Sequence, residues 1–422
     1  MRLTSLLLLS FLILAPCTGK SQQPAKRWWK GNLHTHTLWS DGDDFPEMIA
    51  EWYKERGYHF LALSDHNILL DHENWALIAP GKRAEVAFPK YLARFGAPWV
   101  EQRLHGDDPQ VRLKMLSEFR SLFEEPDRFL MIASEEISGA FLKAGIHVNA
   151  TNIREKILPS VESTPVEVMQ KMIDAVMEQR QRIGVPMFPH VNHPNFQWAI
   201  TAEDLMKLDH EKFFEVYNGH PQVNNEGDQT HASTDRVWDI ILTARLAVLG
   251  KEVMYGLGTD DSHNYHNEPK QKSRPGRGWI MVTAAKLTVE EIIAAMEAGN
   301  FYASSGVTLK EIQRTPGALS LEIEPQEGVT YTTEFIGTRK GYDPTSQPVT
   351  DPAGNLLRVT RRYSEEIGEV LAKVTGTTAK YELTGDEIYV RARVTSSKGM
   401  TDPVVEGDLE KAWVQPLVTG VK

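Results

Sequence analysis

Between residues 28 and 263 the chain repeats one pattern: a short apolar run, a polar stop, then an amphipathic or irregular connection. The runs fall near residues 28–33, 58–63, 129–133, 145–149, 185–191, 213–217 and 255–259, each about the length of a buried strand. Helix signals separate several of them. Asp44-Phe45-Pro46-Glu47 opens a helix that Gly57 closes, with Met48, Ile49, Trp52 and Tyr53 as its apolar stripe. Thr164-Pro165-Val166-Glu167 is a capping box ahead of a stripe of Val168, Met169, Met172, Ile173, Val176 and Met177, and Gly184 ends that helix. Thr201-Ala-Glu-Asp204, residues 233–249 and Thr288-Val-Glu-Glu291 mark three more. Residues 68–128 are too long for a simple crossover and read as an insertion over one mouth of the domain. The alternation predicts an α/β fold of parallel strands over residues 28–310. Polar chemistry gathered at the ends of such strands, here seven of them, is the pattern of a TIM-like barrel. Beyond residue 310 the period changes. Residues 318–323 and 388–394 alternate apolar and polar, with turn signals between such runs, which predicts a small antiparallel, β-sandwich-like domain over residues 311–422.

The polar stops carry the chemistry. The first reads Leu33-His34-Thr35-His36-Thr-Leu-Trp-Ser-Asp41-Gly42. Side chains alternate along a strand, so His34 and His36 point the same way, and Asp41 comes back after a turn. The later stops hold Asp65-His66, Glu135-Glu136, His147, His190 and His193, His220, and Asp260-Asp261-Ser-His263. Imidazole and carboxylate donors without a thiolate suit Zn, Mn or Fe. A carboxylate can also bridge two ions about 3.5–4 Å apart, as in phosphoester hydrolysis.

Composition narrows the field. With 422 residues and a formal net charge of −11, the chain lacks the basic balance of a broad nucleic-acid binder. A small phosphorylated substrate remains compatible, because a local metal cluster dominates its own field. Residues 1–19 read as a signal peptide, with Arg2 ahead of an apolar run at 6–14 too short to span a bilayer, and residues 20–27 as a polar tether. This predicts export, to the periplasm or beyond the cell. The one cysteine, Cys17, lies in Leu14-Ala15-Pro16-Cys17, which resembles a lipoprotein box except at Pro16. A lipid anchor at Cys17 and simple cleavage near Thr18-Gly19 are the two alternatives. No other stretch is a transmembrane candidate, and the His-Glu-x-x-His of a metallopeptidase is absent.

Taken in order, His-x-His with an aspartate five residues on, Ser-Asp-His, a glutamate eleven before a histidine, Asn-His-Pro and Asp-x-His resemble the polymerase-and-histidinol-phosphatase (PHP) family of metal-dependent phosphoesterases. The resemblance covers roughly residues 28–310 and is nearest to the trinuclear subgroup. It implies a distorted (β/α)7 barrel holding three divalent ions. His34, His36, Glu136 and Asp261 would hold the first. Glu136 would bridge to a second, completed by His147 and His193. Asp41, His66 and His263 would hold the third. Some relatives carry histidine where this chain has Asp41.

The implied reaction is hydrolysis of a small phosphomonoester, of nucleotide, sugar or histidinol-phosphate type, by a metal-activated water. A phosphodiesterase on a small cyclic or glycerophosphate-type diester is the alternative within the chemistry. A non-catalytic metal-containing surface binding protein is the alternative outside it. Phosphate oxygens call for cations, and Arg274, Arg277 and Lys143 are the candidates. His220 is the candidate for substrate contact or proton donation. Asp65 is the candidate for orienting a ligand histidine or moving a proton. His190 reads as support for the ligands, and His59, His72, His105, His210, His231 and His266 as structural or solvated. Trp39 and Trp198 are candidates to stack on a ring, with packing as the plainer reading.

Overall fold

The computed structural model describes residues 26–266 and 272–419. The expected signal peptide, Cys17 and most of the tether lie outside the described residues. Among the described residues, no helix is long and apolar enough to cross a membrane.

One sheet runs through the molecule. Its strands are β1 (Arg27–Asn32), β2 (Phe60–Leu63), β3 (Leu130–Phe141), β4 (Ala144–Thr151), β5 (Phe188–Val191), β6 (Phe213–Asn218), β7 (Tyr255–Thr259), β8 (Trp279–Ala284), β9 (Phe301–Ser304), β10 (Tyr331–Arg339), β11 (Glu369–Thr375), β12 (Glu387–Gly399) and β13 (Leu409–Val418). The order across the sheet is β7-β6-β5-β4-β3-β2-β1-β8-β9-β13-β12-β10-β11. All seven expected strands are therefore present and stand side by side in chain order. β1, β2 and β3 pair in parallel, as do β5, β6 and β7.

The uniform parallel arrangement expected from the sequence fails at β4, which runs antiparallel to both neighbours. The cause is local. Only Leu142 and Lys143 separate β3 from β4, and a two-residue turn joins only antiparallel strands. Leu142 takes the positive φ of 55° that such a turn requires.

The seven strands curl. Leu33, Phe60, Ala62, Ile132, Phe188, Phe213 and Leu257 come from strands at both ends of this row and pack into one buried cluster. Between β1 and β7 there is no ladder among the described residues. The two ends meet through one parallel bridge, Thr35 to Ser262, with the His36 N–H donating to the Ser262 carbonyl at 3.0 Å.

The helices are α1 (Pro46–Glu55), α2 (Ala84–Phe95), α3 (Leu116–Phe123), α4 (Pro165–Ile183), α5 (Ala202–Leu205), α6 (Thr234–Thr243) and α7 (Val289–Glu297). α4 starts where its capping box lies. Thr164 Oγ1 accepts the Glu167 N–H at 3.2 Å, Pro165 takes the first turn, and Gly184 ends the helix at φ 76°. Its stripe from Val168 to Val176 is buried against β4 and β5. Residues 68–128 form α2, α3 and a three-stranded sheet of Asn74–Leu77, Gln102–His105 and Asp108–Leu113. This insertion packs on α1 and the 38–45 loop, where Phe45 stacks on Tyr91 at 3.9 Å.

Residues after 310 are β-structured and antiparallel. The main sheet continues into them without a break, β9 pairing with β13 through Tyr302–Val414 and Ala303–Trp413. A second sheet of Leu309–Thr315, Ala318–Ile323 and Thr378–Glu382 lies apart from it.

Candidate metal centre

The polar strand ends are locked to one another by backbone bonds beyond the ladders. The Ser64 N–H donates to the Thr35 carbonyl, the Glu136 N–H to Asp65 and the Asn67 N–H to Glu136, at 2.9–3.1 Å. These bonds bring His34, His36, His66, Glu136, Asp261 and His263 to one place. His147 faces it from β4, and His193 follows β5, whose end is held by the Asn192 N–H on the His147 carbonyl at 3.1 Å. His193 and Asp261 sit at φ 23° and 48°. Such backbone is strained for residues other than glycine and persists where surroundings enforce it.

The donors converge. His34 Nε2 lies 3.3 Å from Glu136 Oε1 and 3.2 Å from Asp261 Oδ1. His36 Nε2 lies 3.3 Å from Glu136 Oε2 and 3.1 Å from Asp261 Oδ1. His147 Nδ1 and His193 Nε2 approach Glu136 Oε1 at 2.8 and 3.3 Å, and His66 Nδ1 approaches Glu136 Oε2 at 2.8 Å. Asp41 draws in His36, His66 and His263 at 3.4–3.5 Å. The implied sets therefore overlap: His36 and His66 each stand between Glu136 and Asp41.

Whether this arrangement suits a cation is answered by unsatisfied atoms. His34 Nε2, both ring nitrogens of His36, Glu136 Oε2 and Asp261 Oδ1 are buried without a hydrogen-bond partner. Buried polar atoms normally find partners. Donors about 2.0–2.2 Å from a shared ion stand roughly 3–3.6 Å from each other, and the gaps between these atoms fall in that range. The residues fit divalent metal ions.

A surrounding layer sets the rings. Glu215 is fully buried and accepts four hydrogen bonds at 2.7–2.8 Å, from His34 Nδ1, Thr259 Oγ1, the His193 N–H and Asn218 Nδ2. A carboxylate only accepts, so His34 carries its proton on Nδ1 and turns a lone pair at Nε2 to the cluster. Asn192 Nδ2 donates to Glu136 Oε1 at 2.8 Å and to Asn149 Oδ1 at 3.0 Å. Asp260, next to the ligand candidate Asp261, accepts from Asn32, Tyr53 and the Gly276 N–H.

Electrostatics follow the geometry. Burial opposes ionisation of Glu136 and Asp261, yet the imidazoles around them hold both well below the usual carboxylate range. Burial, with His263 and His66 alongside, pushes His36 down to about 3. Burial of Asp260 raises it to about 7 despite its donors.

Other candidates are placed elsewhere. Asp65 bonds no ligand histidine. Its oxygens accept from the Thr37 N–H and Oγ1 and the Ser40 N–H and Oγ at 2.6–3.0 Å, so it fixes the loop that carries Asp41. Arg277 is not a surface fork: it is 1% exposed, and its guanidinium bonds Asp402 and the carbonyls of Gly219 and Lys272. Arg274 is half-buried with its Nε 3.4 Å from Asp402 Oδ2. Lys143 stands exposed in the β3–β4 turn. His220 lies at the rim, its ring 5.4 Å from that of His263. His190 is buried 3.6 Å from Glu215.

The remaining histidines lie away from the cluster: His59 accepts the Lys30 N–H, His72 pairs with Asp71, His231 with Asp228 and Trp198, and His266 with Lys90. His105 and His210 are exposed. Trp39 is buried, with His72 at its edge.

Sequence reasoning missed Glu215. Its signal was a lone charge inside the apolar run Phe213–Tyr217, on the same face as Phe213.

No protein-family model matches the chain, and no curated protein does. Among solved structures it is similar to a two-domain protein from Bacteroides vulgatus that contains a predicted PHP-like metal-dependent phosphoesterase. The identity is 14%, the match covers 95% of this chain and 99% of the other, and the TM-score is 0.41. It is also similar to a protein from Bifidobacterium adolescentis described as a metal-dependent phosphoesterase, at 12% identity over 57% of this chain and 89% of the other, with a TM-score of 0.27.

Proposed function

We propose that the chain is a metal-dependent phosphoesterase of the PHP type, built on a distorted seven-stranded barrel, that hydrolyses small phosphomonoesters. The observation that carries this reading is the set of buried, partnerless donor atoms of His34, His36, Glu136 and Asp261, with gaps of 3.1–3.3 Å among them. These four would hold one ion, Glu136 with His147 and His193 a second, and Asp41 with His66 and His263 a third. Zinc, manganese or iron held there supplies Lewis acidity to a phosphoryl group.

The chain's own residues orient and exclude. Glu215 and Asn192 fix the rings and the bridging carboxylate. His220 Nδ1 accepts the Gln222 N–H at 3.2 Å, so its proton sits on Nε2. Burial pushes this ring down to about 4, so at neutral pH it offers the substrate a hydrogen bond rather than a full proton. Arg274 meets the phosphate at the mouth, and Lys143 is a second cation at the β3–β4 turn. The reading includes export directed by residues 1–19, with N-terminal sequencing of the mature protein as its check.

The test compares p-nitrophenyl phosphate with bis(p-nitrophenyl) phosphate on protein stripped and reloaded with Mn, Zn or Fe. Turnover of the monoester, abolished by His34→Ala together with metal content, is the expected result. Turnover of the diester alone makes the chain a phosphodiesterase. Bound metal without turnover of either makes it a binding protein.

A further inference from the structure

The loop at residues 272–278 is woven into the metal centre. The Ser273 carbonyl accepts the N–H groups of His263 and Asn264 at 3.0 and 2.8 Å, and Ser273 Oγ donates to the Asp261 carbonyl. The Gly276 N–H donates to Asp260 Oδ2 at 2.6 Å. Arg277, in the same loop, crosses to the end of β6, where its Nη1 donates to the Gly219 carbonyl at 3.1 Å and to the Lys272 carbonyl at 2.7 Å. Gly219 lies between Asn218, which donates to Asp261 Oδ2 at 3.2 Å, and His220. Arg277 therefore ties together the chain segments that carry Asp261, His263 and His220.

A residue from the far end of the sequence holds that tie. Asp402 lies in the turn between β12 and β13. Its Oδ2 and its carbonyl accept from Arg277 Nε at 3.2 and 3.1 Å. The same carboxylate faces Arg274, with Oδ1 3.5 Å from Nη1 and Oδ2 3.4 Å from Nε. The turn is seated on β6 as well, Tyr217 OH lying 3.7 Å from Met400 Sδ. A carboxylate between two guanidinium groups fixes both in direction, and at a buried arginine it supplies the countercharge that burial demands.

We propose that Asp402 is a positioning residue of the metal centre, supplied by the C-terminal β region, which holds Arg277 beneath the Asp261–His263 and Asn218–His220 segments and sets Arg274 at the mouth. The inference rests on the phosphoesterase reading for its kinetic consequence, but its structural half stands apart from it.

The test uses the full chain with Asp402→Asn, Asp402→Ala and, as a control in the same region, Lys411→Ala, which removes a surface pair with Glu226. Limited trypsinolysis at Lys272 and Arg277, which sit inside this network, reads the tie without any substrate. Asp402→Asn is expected to speed cleavage there, to lower Mn occupancy after dialysis, and to cut kcat/KM on p-nitrophenyl phosphate about tenfold, mostly in KM. Lys411→Ala is expected to leave all three unchanged. If Asp402→Ala fails to fold, the near-isosteric Asp402→Asn decides. Unchanged cleavage, occupancy and kcat/KM in Asp402→Asn overturn the proposal, and so does a lower melting temperature as the only change. If the unmodified chain hydrolyses no phosphoester, the functional reading fails, while cleavage and Mn occupancy still judge Asp402.

Discussion

Glu215 touches no implied ion, yet it orients His34, steadies the backbone at His193 and bonds Asn218. Glu215→Gln keeps the shape but replaces one acceptor oxygen by a donor facing His34 Nδ1. Metal affinity is expected to fall about 10–100-fold, the usual cost of losing such a partner, as read by competition with a fluorescent chelator. A second carboxylate reports on pH instead. Burial raises Glu47 from 4.5 to about 7, with Tyr91 OH donating to it at 2.6 Å. Its folded pKa lies above its unfolded one, so its stabilisation is complete below about 4.5 and is lost as pH rises through 7. Unfolding free energies from urea titrations of the unmodified chain should fall relative to Glu47→Gln across that window, by about 1.4 kcal/mol per pH unit, and then level off. Most ligand candidates were legible because they follow an apolar run, and His147, inside one, because it lies eleven residues after Glu136. Glu215 was not, because a residue in mid-run reads as core. Arg277 was misread because sequence shows a cation and not the carboxylate that buries it, 125 residues away.

At the scale of elements, the strand-end loops are as specific as the side chains they present. The turn after His36 closes on Gly42, whose N–H donates to the Thr37 carbonyl at 2.9 Å. A Cβ at Gly42 would meet the His36 carbonyl carbon and oxygen at 2.6 Å and Thr37 Cα at 2.7 Å. These are backbone atoms without room to yield. Gly42→Ala should therefore displace Asp41 and weaken the Asp41–His66–His263 group, losing about one metal per chain after dialysis by elemental analysis. Helix boundaries were well marked in the sequence, because capping boxes and terminal glycines act locally: α4 begins at Thr164 and ends at Gly184. The direction of β4 was not foreseen, since an apolar run carries no sign of its polarity. Only the length of the turn before it does.

Across the whole molecule, one continuous sheet has strands on both sides of the boundary expected near residue 310, and the two parts are also joined by buried charge. Arg391, 1% exposed on β12, forks onto Asp239 of α6 with two bonds of 2.7 Å and pairs with Asp235 at 3.0 Å. Removing it leaves the buried Asp239 carboxylate without its cation, with only the Tyr389 hydroxyl among the described residues still donating to it, while Asp235 keeps Arg393 and Trp413. Arg391→Met is expected to lower unfolding stability by about 3–5 kcal/mol. The intact chain should unfold in one transition seen alike by near- and far-ultraviolet circular dichroism. Separate transitions for the two parts would contradict that shared core. The sequence marked the change of period at 310 but not this coupling, because pairs such as Asp239–Arg391 join residues 152 positions apart.

The antiparallel seam between β1 and β8 sets a timetable. Arg27 to Gly31 register against Ala284 to Ile280, so the first strand finds this neighbour only after some 250 further residues have been made. Until then β1 offers an open edge to any other chain. β9 waits likewise for β13, close to the last described residues. The sheet that carries the candidate metal ligands is completed only by strands made late in the chain. Fragments truncated before β8 are therefore expected to be sticky intermediates rather than smaller folded units.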